Sequence, residues 1–154
     1  WAAKKIGYNT EFIELAGKIN DHIPKWVVDQ VIKNNAKRRI TEPRILMIGY
    51  AYKKNVGDFR QTPASEIYTQ LNEYYDTYVY DDLCEGDIKN KVKTITPSNF
   101  DIDFLSQFSQ IVIVTDHDSI DYELIALKFL GTVYDTRDSF ESRGIAPPED
   151  YMSL

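Results

Sequence analysis

A chain of 154 residues, 43% of them hydrophobic, has the material for one compact domain with a real core. Its net charge of −6 argues against broad binding to nucleic acid or to an acidic membrane surface, so any anion it holds must be met by local positive charge. No apolar run reaches the ~18–20 residues of a membrane span, no secretory signal opens the chain, and the single cysteine, Cys84, leaves no intramolecular disulfide framework and no cysteine-based metal site. This cysteine usage points to the cytoplasm, and Trp1 in place of an initiator methionine points to a piece of a longer protein.

The first element is helical. From Thr10, the run TEFIELAGKINDHIPKWVVDQVIKNNA places Phe12, Ile13, Leu15, Ala16, Ile19 and Ile23 at helical spacing, and Trp26, Val27, Val28, Val31 and Ile32 continue it. Thr10 is expected to cap it, with Glu11 and Glu14 in the first turn. Pro24 inside the pattern predicts a kink or two helices meeting there. So long an apolar stripe calls for a partner surface, either its own domain or a second copy of the chain. AKRRITEP, residues 36–43, is charged, carries a proline and reads as the domain boundary.

Strands and helices then alternate. RILMIGY (44–50) is the near-continuous apolar run of a strand covered on both faces. Residues 63–75 are predicted helical, with Pro63 in the first turn. TYVYD (77–81) is a second strand, KVKTI (91–95) a weaker third, and FDIDFLSQF (100–108) a short helix. QIVIVTD (110–116) is a strong central strand, residues 120–130 a helix closed by Gly131, and TVYDT (132–136) the last strand. From Ser142, with Pro147 and Pro148, the tail reads as irregular. The alternation implies an α/β, Rossmann-like three-layer domain with a parallel sheet and right-handed crossovers, preceded by the long helix.

Ligands of open parallel sheets bind beyond the carboxyl ends of the strands. Three polar clusters follow predicted strand ends: YKKNVGDFR, TDHDS and DTRDS. Lys53, after the first strand, can offer a phosphate a point charge, or is a solvated loop lysine; Lys54 reads as the solvated one of the pair. Asp58 can hold Arg60, which then serves a second phosphate or a carboxylate unless the two form a plain surface ion pair. Arg137 suits bidentate anion recognition, the alternative being a structural pairing with Asp135 or Asp138. His117, beside Thr115 and Asp116, has no nucleophile near it in sequence and reads as a capping and hydrogen-bonding residue; His22 and Cys84 read as structural.

GxGxxG, GxxxxGK[ST], Cys/His metal spacing and GxSxG are all missing, so an independent dinucleotide or nucleoside-triphosphate loop is not expected. A sheet whose rim is basic at chosen points suits a binding domain better than a complete enzyme. The alternative from another class is a non-enzymatic, receiver-like regulatory module holding Mg²⁺ at the acidic pair Asp81–Asp82, although that pair follows the second strand of the alternating region, not the first.

Four motifs, YNTEFIELAGKIN, GYAYKKNVGDFRQTPA, VTDHDSIDY and VYDTR, occur in this order and at this spacing. Together they resemble the C-terminal half of the UDP-glucose/GDP-mannose dehydrogenase family over about residues 1–140, and are most similar to its UDP-N-acetylglucosamine/UDP-N-acetylmannosamine branch. The resemblance implies a cytoplasmic enzyme of three parts: an NAD-binding Rossmann domain, a central helical dimerisation segment and a C-terminal UDP-binding domain. It would oxidise C6 of a UDP-sugar to the uronate with NAD, for surface polysaccharides. Residues 1–35 would then end the central segment, 36–43 form a linker and 44–154 the UDP-sugar domain, with a homodimer formed through the first helix and no nucleic acid or membrane partner. The family's catalytic cysteine, in a GGHCIP-type motif, has no match in Cys84, so no catalytic residue is expected here and the chain alone is expected to be inactive. By the same resemblance, Lys53, next to the aromatic Tyr52, is the lysine that contacts the nucleotide sugar. Arg60 in DFRQTP is the arginine of a DxRxSP pattern that reaches toward NAD, with Thr62 in place of serine. Arg137 is the substrate-side arginine of the VxDxR strand end.

Overall fold

The computed structural model describes residues 11–154. Helix α1 (Glu11–Arg38) is a single α-helix with Pro24 inside it, so the two-helix option at this proline is not taken. The expected cap, Thr10, lies outside the described residues. The helix changes character along its length. Val27, Val28, Val31 and Asn35 are buried, whereas Phe12, Ile13, Leu15, Ile19, Ile23 and Trp26 stand exposed.

The sheet contains β1 (Arg44–Ile48), β2 (Asp76–Tyr80), β3 (Gln110–Ile113), β4 (Thr132–Asp135) and β5 (Tyr151–Ser153), all parallel in the order β2-β1-β3-β4-β5. Alternate residues of each strand point to opposite faces, and both faces are covered, which is why β1 and β3 read as continuous apolar runs. Ile45, Met47 and Val79 face Val27, Val28 and Val31 of α1 and Ile67, Tyr68 and Leu71 of α2 (Pro63–Tyr74). Leu46, Ile48, Ile111, Ile113 and Val133 face Phe104, Leu105, Ile125 and Phe129, on and around α4 (Ile102–Leu105) and α5 (Tyr122–Lys128). A short α3 (Glu85–Ile88) follows β2. Thr62 caps α2, its hydroxyl oxygen accepting from the Ala64 N–H, and Pro63 sits in the first turn as expected.

The second half of α1 is part of this core. Asn35 and Gln110 exchange side-chain amide hydrogen bonds inside it, and the Asn34 amide donates to the Tyr134 hydroxyl at 2.7 Å. Arg38 forks onto Asp150 and also donates to Thr132. The helix therefore runs past the expected boundary at residue 36, and its last turns are locked to the starts of β3 and β4.

Three expectations need correction. KVKTI forms no strand: only Val79 and Thr94 make a bridge, with the Val79 N–H donating to Lys93 and the Ile95 N–H to Val79. Pro97 follows at once and cannot extend a ladder. The tail is not wholly irregular, because β5 adds to β4, its Tyr151 ring edge-on to Phe140 at 5.5 Å. Gly131 does not close α5 in a left-handed conformation: the cap is Phe129 in extended geometry, and a Cβ on Gly131 would lie 2.1 Å from the Ser109 carbonyl oxygen. Close passage of two backbones, not capping, demands glycine there.

Candidate functional site

Because β1, β3 and β4 are parallel neighbours, the loops after them share one rim of the sheet. The β1 loop leaves its strand at Gly49 (φ +85°), where a Cβ would come within 2.1 Å of the Thr115 carbonyl oxygen. Thr115 then donates its hydroxyl to the Ala51 carbonyl at 2.6 Å. Asp81, buried at the end of β2, holds the start of this loop. Its Oδ2 accepts from the N–H groups of Tyr50 at 2.6 Å and Ala51 at 2.9 Å, and from His117 Nε2 at 3.1 Å. Its Oδ1 accepts from the Leu83 and Cys84 N–H groups, both at 3.0 Å. Burial pushes the Asp81 carboxyl up, but hydrogen bonds from His117 and the two loop amides outweigh it and hold the group below the usual carboxylate range. Protein donors occupy both oxygens, which counts against the receiver-like reading. Among the described residues no cluster of His, Cys, Asp and Glu is arranged to hold a metal.

At the tip of the loop Lys54, expected to be the solvated lysine of the pair, is held by carboxylates instead. Its ammonium lies 2.6 Å from Asp118 and 3.8 Å from Asp116. Lys53 has no ion pair among the described residues, and its ammonium stands 6.0 Å from the ring centre of Tyr52, itself 54% exposed. Asn55, in a left-handed conformation (φ +60°), secures the far end. Its N–H donates to His117 Nδ1 at 2.9 Å, its amide to Asp118 at 2.6 Å, and its oxygen accepts from the Asp118 N–H at 2.9 Å. Hydrogen bonds from Lys54 and then Asn55 hold the Asp118 carboxyl down at about 2.

Arg137, after β4, is shaped by Asp135 through the backbone only. The buried Asp135 carboxylate accepts from the N–H groups of Arg137 at 2.8 Å and Ser139 at 2.6 Å. The guanidinium pairs with neither Asp135 nor Asp138: its Nε lies 3.6 Å from Asp116, and the remaining N–H groups have no partner among the described residues. Arg137 and Lys54 thus share Asp116, which ties the loop carrying Lys53 to the one carrying Arg137.

Arg143 completes this network and was not foreseen. It donates to Asp116 at 3.1 Å, to Asp118 at 3.0 Å and to the Ser139 carbonyl at 2.9 Å, and lies 4.2 Å from the centre of the Tyr122 ring. Local sequence pattern holds no signal for it, since Asp116, Asp118 and Tyr122 lie far away in the chain.

Arg60 lies later in the β1 loop, where the Asp58 carbonyl accepts from the Tyr52 N–H at 2.7 Å. The Asp58 carboxylate grips Arg60 bidentately, at 2.9 and 2.7 Å, while the Arg60 side chain stays 84% exposed. That grip holds the Asp58 carboxyl at about 2. Arg60 lines a hollow of about 240 Å³ at the start of α2 with Tyr50, Phe59, Gln61, Ser65 and Lys91, whose ammonium caps Phe59 at 4.6 Å. Neither Lys53 nor Arg137 lines this hollow. Cys84 is buried, and His22 lies exposed on α1.

Residues 46–142 match the UDP binding domain of the UDP-glucose/GDP-mannose dehydrogenase family. The chain is 32% identical over 118 residues to a UDP-N-acetyl-D-mannosamine dehydrogenase of Methanococcus aeolicus, covering 76% of this chain and 25% of that protein. It is 38% identical over 74 residues to a UDP-N-acetyl-D-glucosamine 6-dehydrogenase of Pseudomonas aeruginosa, covering 47% of this chain and 18% of the other. In fold it is similar to the UDP-D-ManNAc dehydrogenase of Pyrococcus horikoshii, with a TM-score of 0.68 at 20% identity over 98% of this chain and 34% of that one. The chain therefore spans a quarter or less of the length of the two sequence relatives.

Proposed function

The chain belongs to the UDP-glucose/GDP-mannose dehydrogenase family and contains its UDP-binding domain; from that premise we propose that the β1/β3/β4 rim holds the UDP part of a UDP-N-acetylhexosamine. The whole protein, in this reading, is a cytoplasmic NAD-dependent dehydrogenase that oxidises C6 of that sugar to the uronate for surface polysaccharide synthesis. The observation that carries the proposal is the pairing of two under-used cations on one rim. Among the described residues Lys53 has no carboxylate partner, and Arg137 spends only its Nε edge on Asp116. Lys53 offers a diphosphate a compact charge, Arg137 offers two parallel donors, and Tyr52 offers a flat apolar face. Asp116 and Asp118 absorb the neighbouring Lys54 and Arg143, which leaves Lys53 and the outer edge of Arg137 as the rim cations that would meet the ligand.

The hollow at Arg60, which neither Lys53 nor Arg137 lines, would take a phosphate of NAD, with Arg60 and Lys91 beside the N-terminus of α2. NAD, when bound, accepts hydride; the role of this chain is to orient and neutralise, since its only thiol, Cys84, is buried. The exposed stripe of α1, Phe12, Ile13, Leu15, Ile19, Ile23 and Trp26, is the surface through which a second copy would pack, giving a homodimer.

Calorimetric titration of UDP into the 154-residue chain checks the reading. Binding in the micromolar-to-millimolar range and no reduction of NAD with UDP-N-acetylhexosamines are expected. Absence of binding at millimolar UDP contradicts the UDP assignment, and turnover contradicts the absence of a catalytic cysteine.

A further inference from the structure

We propose that the buried Asp81–His117 pair positions the rim loop, holding Tyr50–Asn55 at both ends so that Tyr52 and Lys53 are presented in one geometry. This rests on the UDP-binding reading of the rim. His117 is completely buried and cannot touch a rim ligand, so any part it plays runs through the groups it contacts.

Those contacts determine its proton. Nδ1 faces the Asn55 N–H at 2.9 Å, a peptide donor that cannot reverse, so Nδ1 must accept and carries no hydrogen. Nε2 therefore bears the proton and donates to Asp81 Oδ2 at 3.1 Å. Both ring nitrogens are satisfied only in this neutral tautomer. Asp81 in turn takes the Tyr50 and Ala51 N–H groups on the same oxygen. One hydrogen-bonded chain thus runs from the loop's entry, through a carboxylate and an imidazole, to its exit at Asn55. The span between, Tyr52 to Lys54, is short, and its cost of ordering has been met before a ligand arrives. Asn55 adopts φ +60°, a conformation that an asparagine tolerates and this N–H contact helps hold.

Two measurements test the pair. In ¹⁵N-labelled protein, the long-range imidazole spectrum should show His117 with pyrrole-type Nε2 and pyridine-type Nδ1. For UDP, His117→Ala should bind about tenfold more weakly. His117→Gln, whose amide can accept from Asn55 and donate to Asp81, should bind within about threefold of the parent. The reverse tautomer, unchanged affinity in His117→Ala, or His117→Gln as weak as His117→Ala each overturns the inference. Should His117→Ala fail to fold, the tautomer and the glutamine variant decide. If the parent chain itself binds no UDP, the functional reading fails, while the tautomer still judges the clamp.

Discussion

Gly49→Ala is expected to destabilise the fold by about 2–5 kcal/mol, the sum of left-handed strain and overpacking. Gly49 has φ +85°, and an added methyl would sit 2.1 Å from the Thr115 carbonyl oxygen and 2.6 Å from its nitrogen. Both obstacles are backbone of the adjacent β3 loop, which cannot swing aside as a side chain can. The change therefore forces β1 and the Thr115 turn apart, at the point where the rim is assembled. Urea unfolding followed by tryptophan fluorescence measures it. Gly17→Ala is the control, because a Cβ there meets nothing within 4 Å and the residue lies in α1, where alanine favours helix. Gly17→Ala should leave the midpoint unchanged or raise it. An equal, small effect from both would remove the close-approach argument.

The second large effect is on binding. Arg137→Ala should weaken UDP about 10- to 100-fold, the usual worth of charge-assisted hydrogen bonds, and Lys53→Ala about tenfold. Both side chains are substantially exposed and support no core contact, so the thermal midpoint should stay near that of the parent. Lys54→Ala separates charge from position. It sits next to Lys53 but is spent on Asp118 and Asp116. It should reduce affinity less than Lys53→Ala, and only through loosening of the loop. Calorimetry on the three variants at one ionic strength decides. A larger loss from Lys54→Ala than from Lys53→Ala would assign the ligand to the wrong lysine.

These residues mark the boundary between what sequence reveals and what it does not. RILMI and QIVI were legible as buried parallel strands because both their faces are covered, which leaves an unbroken apolar run. The three rim clusters followed from strand ends alone. The different roles of Lys53 and Lys54 were not legible, because Asp118, across the rim on another loop, decides which ammonium is held. Arg143 was hidden for the same reason, since its partners come from the β3 loop and α5. β5 escaped because three residues after two prolines, two half-buried and one exposed, carry no period. His117 does form hydrogen bonds, as expected, whereas its partner Asp81 enters the sequence reading only as half of the acidic pair in the alternative, receiver-like reading. A single sequence shows that an aspartate ends a strand; it does not show five donors already converging on it.

Neither Lys53 nor Arg137 lines the Arg60 hollow, which makes the central claim testable by position. Backbone amide shifts of the ¹⁵N-labelled 154-residue chain, followed as UDP is added, read the ligand's position directly. Amides of 51–55, 115–118 and 136–139 should move together and saturate with one dissociation constant. If those amides stay still while 61–65 beside Arg60 move, UDP sits in the other hollow and the rim is not its site.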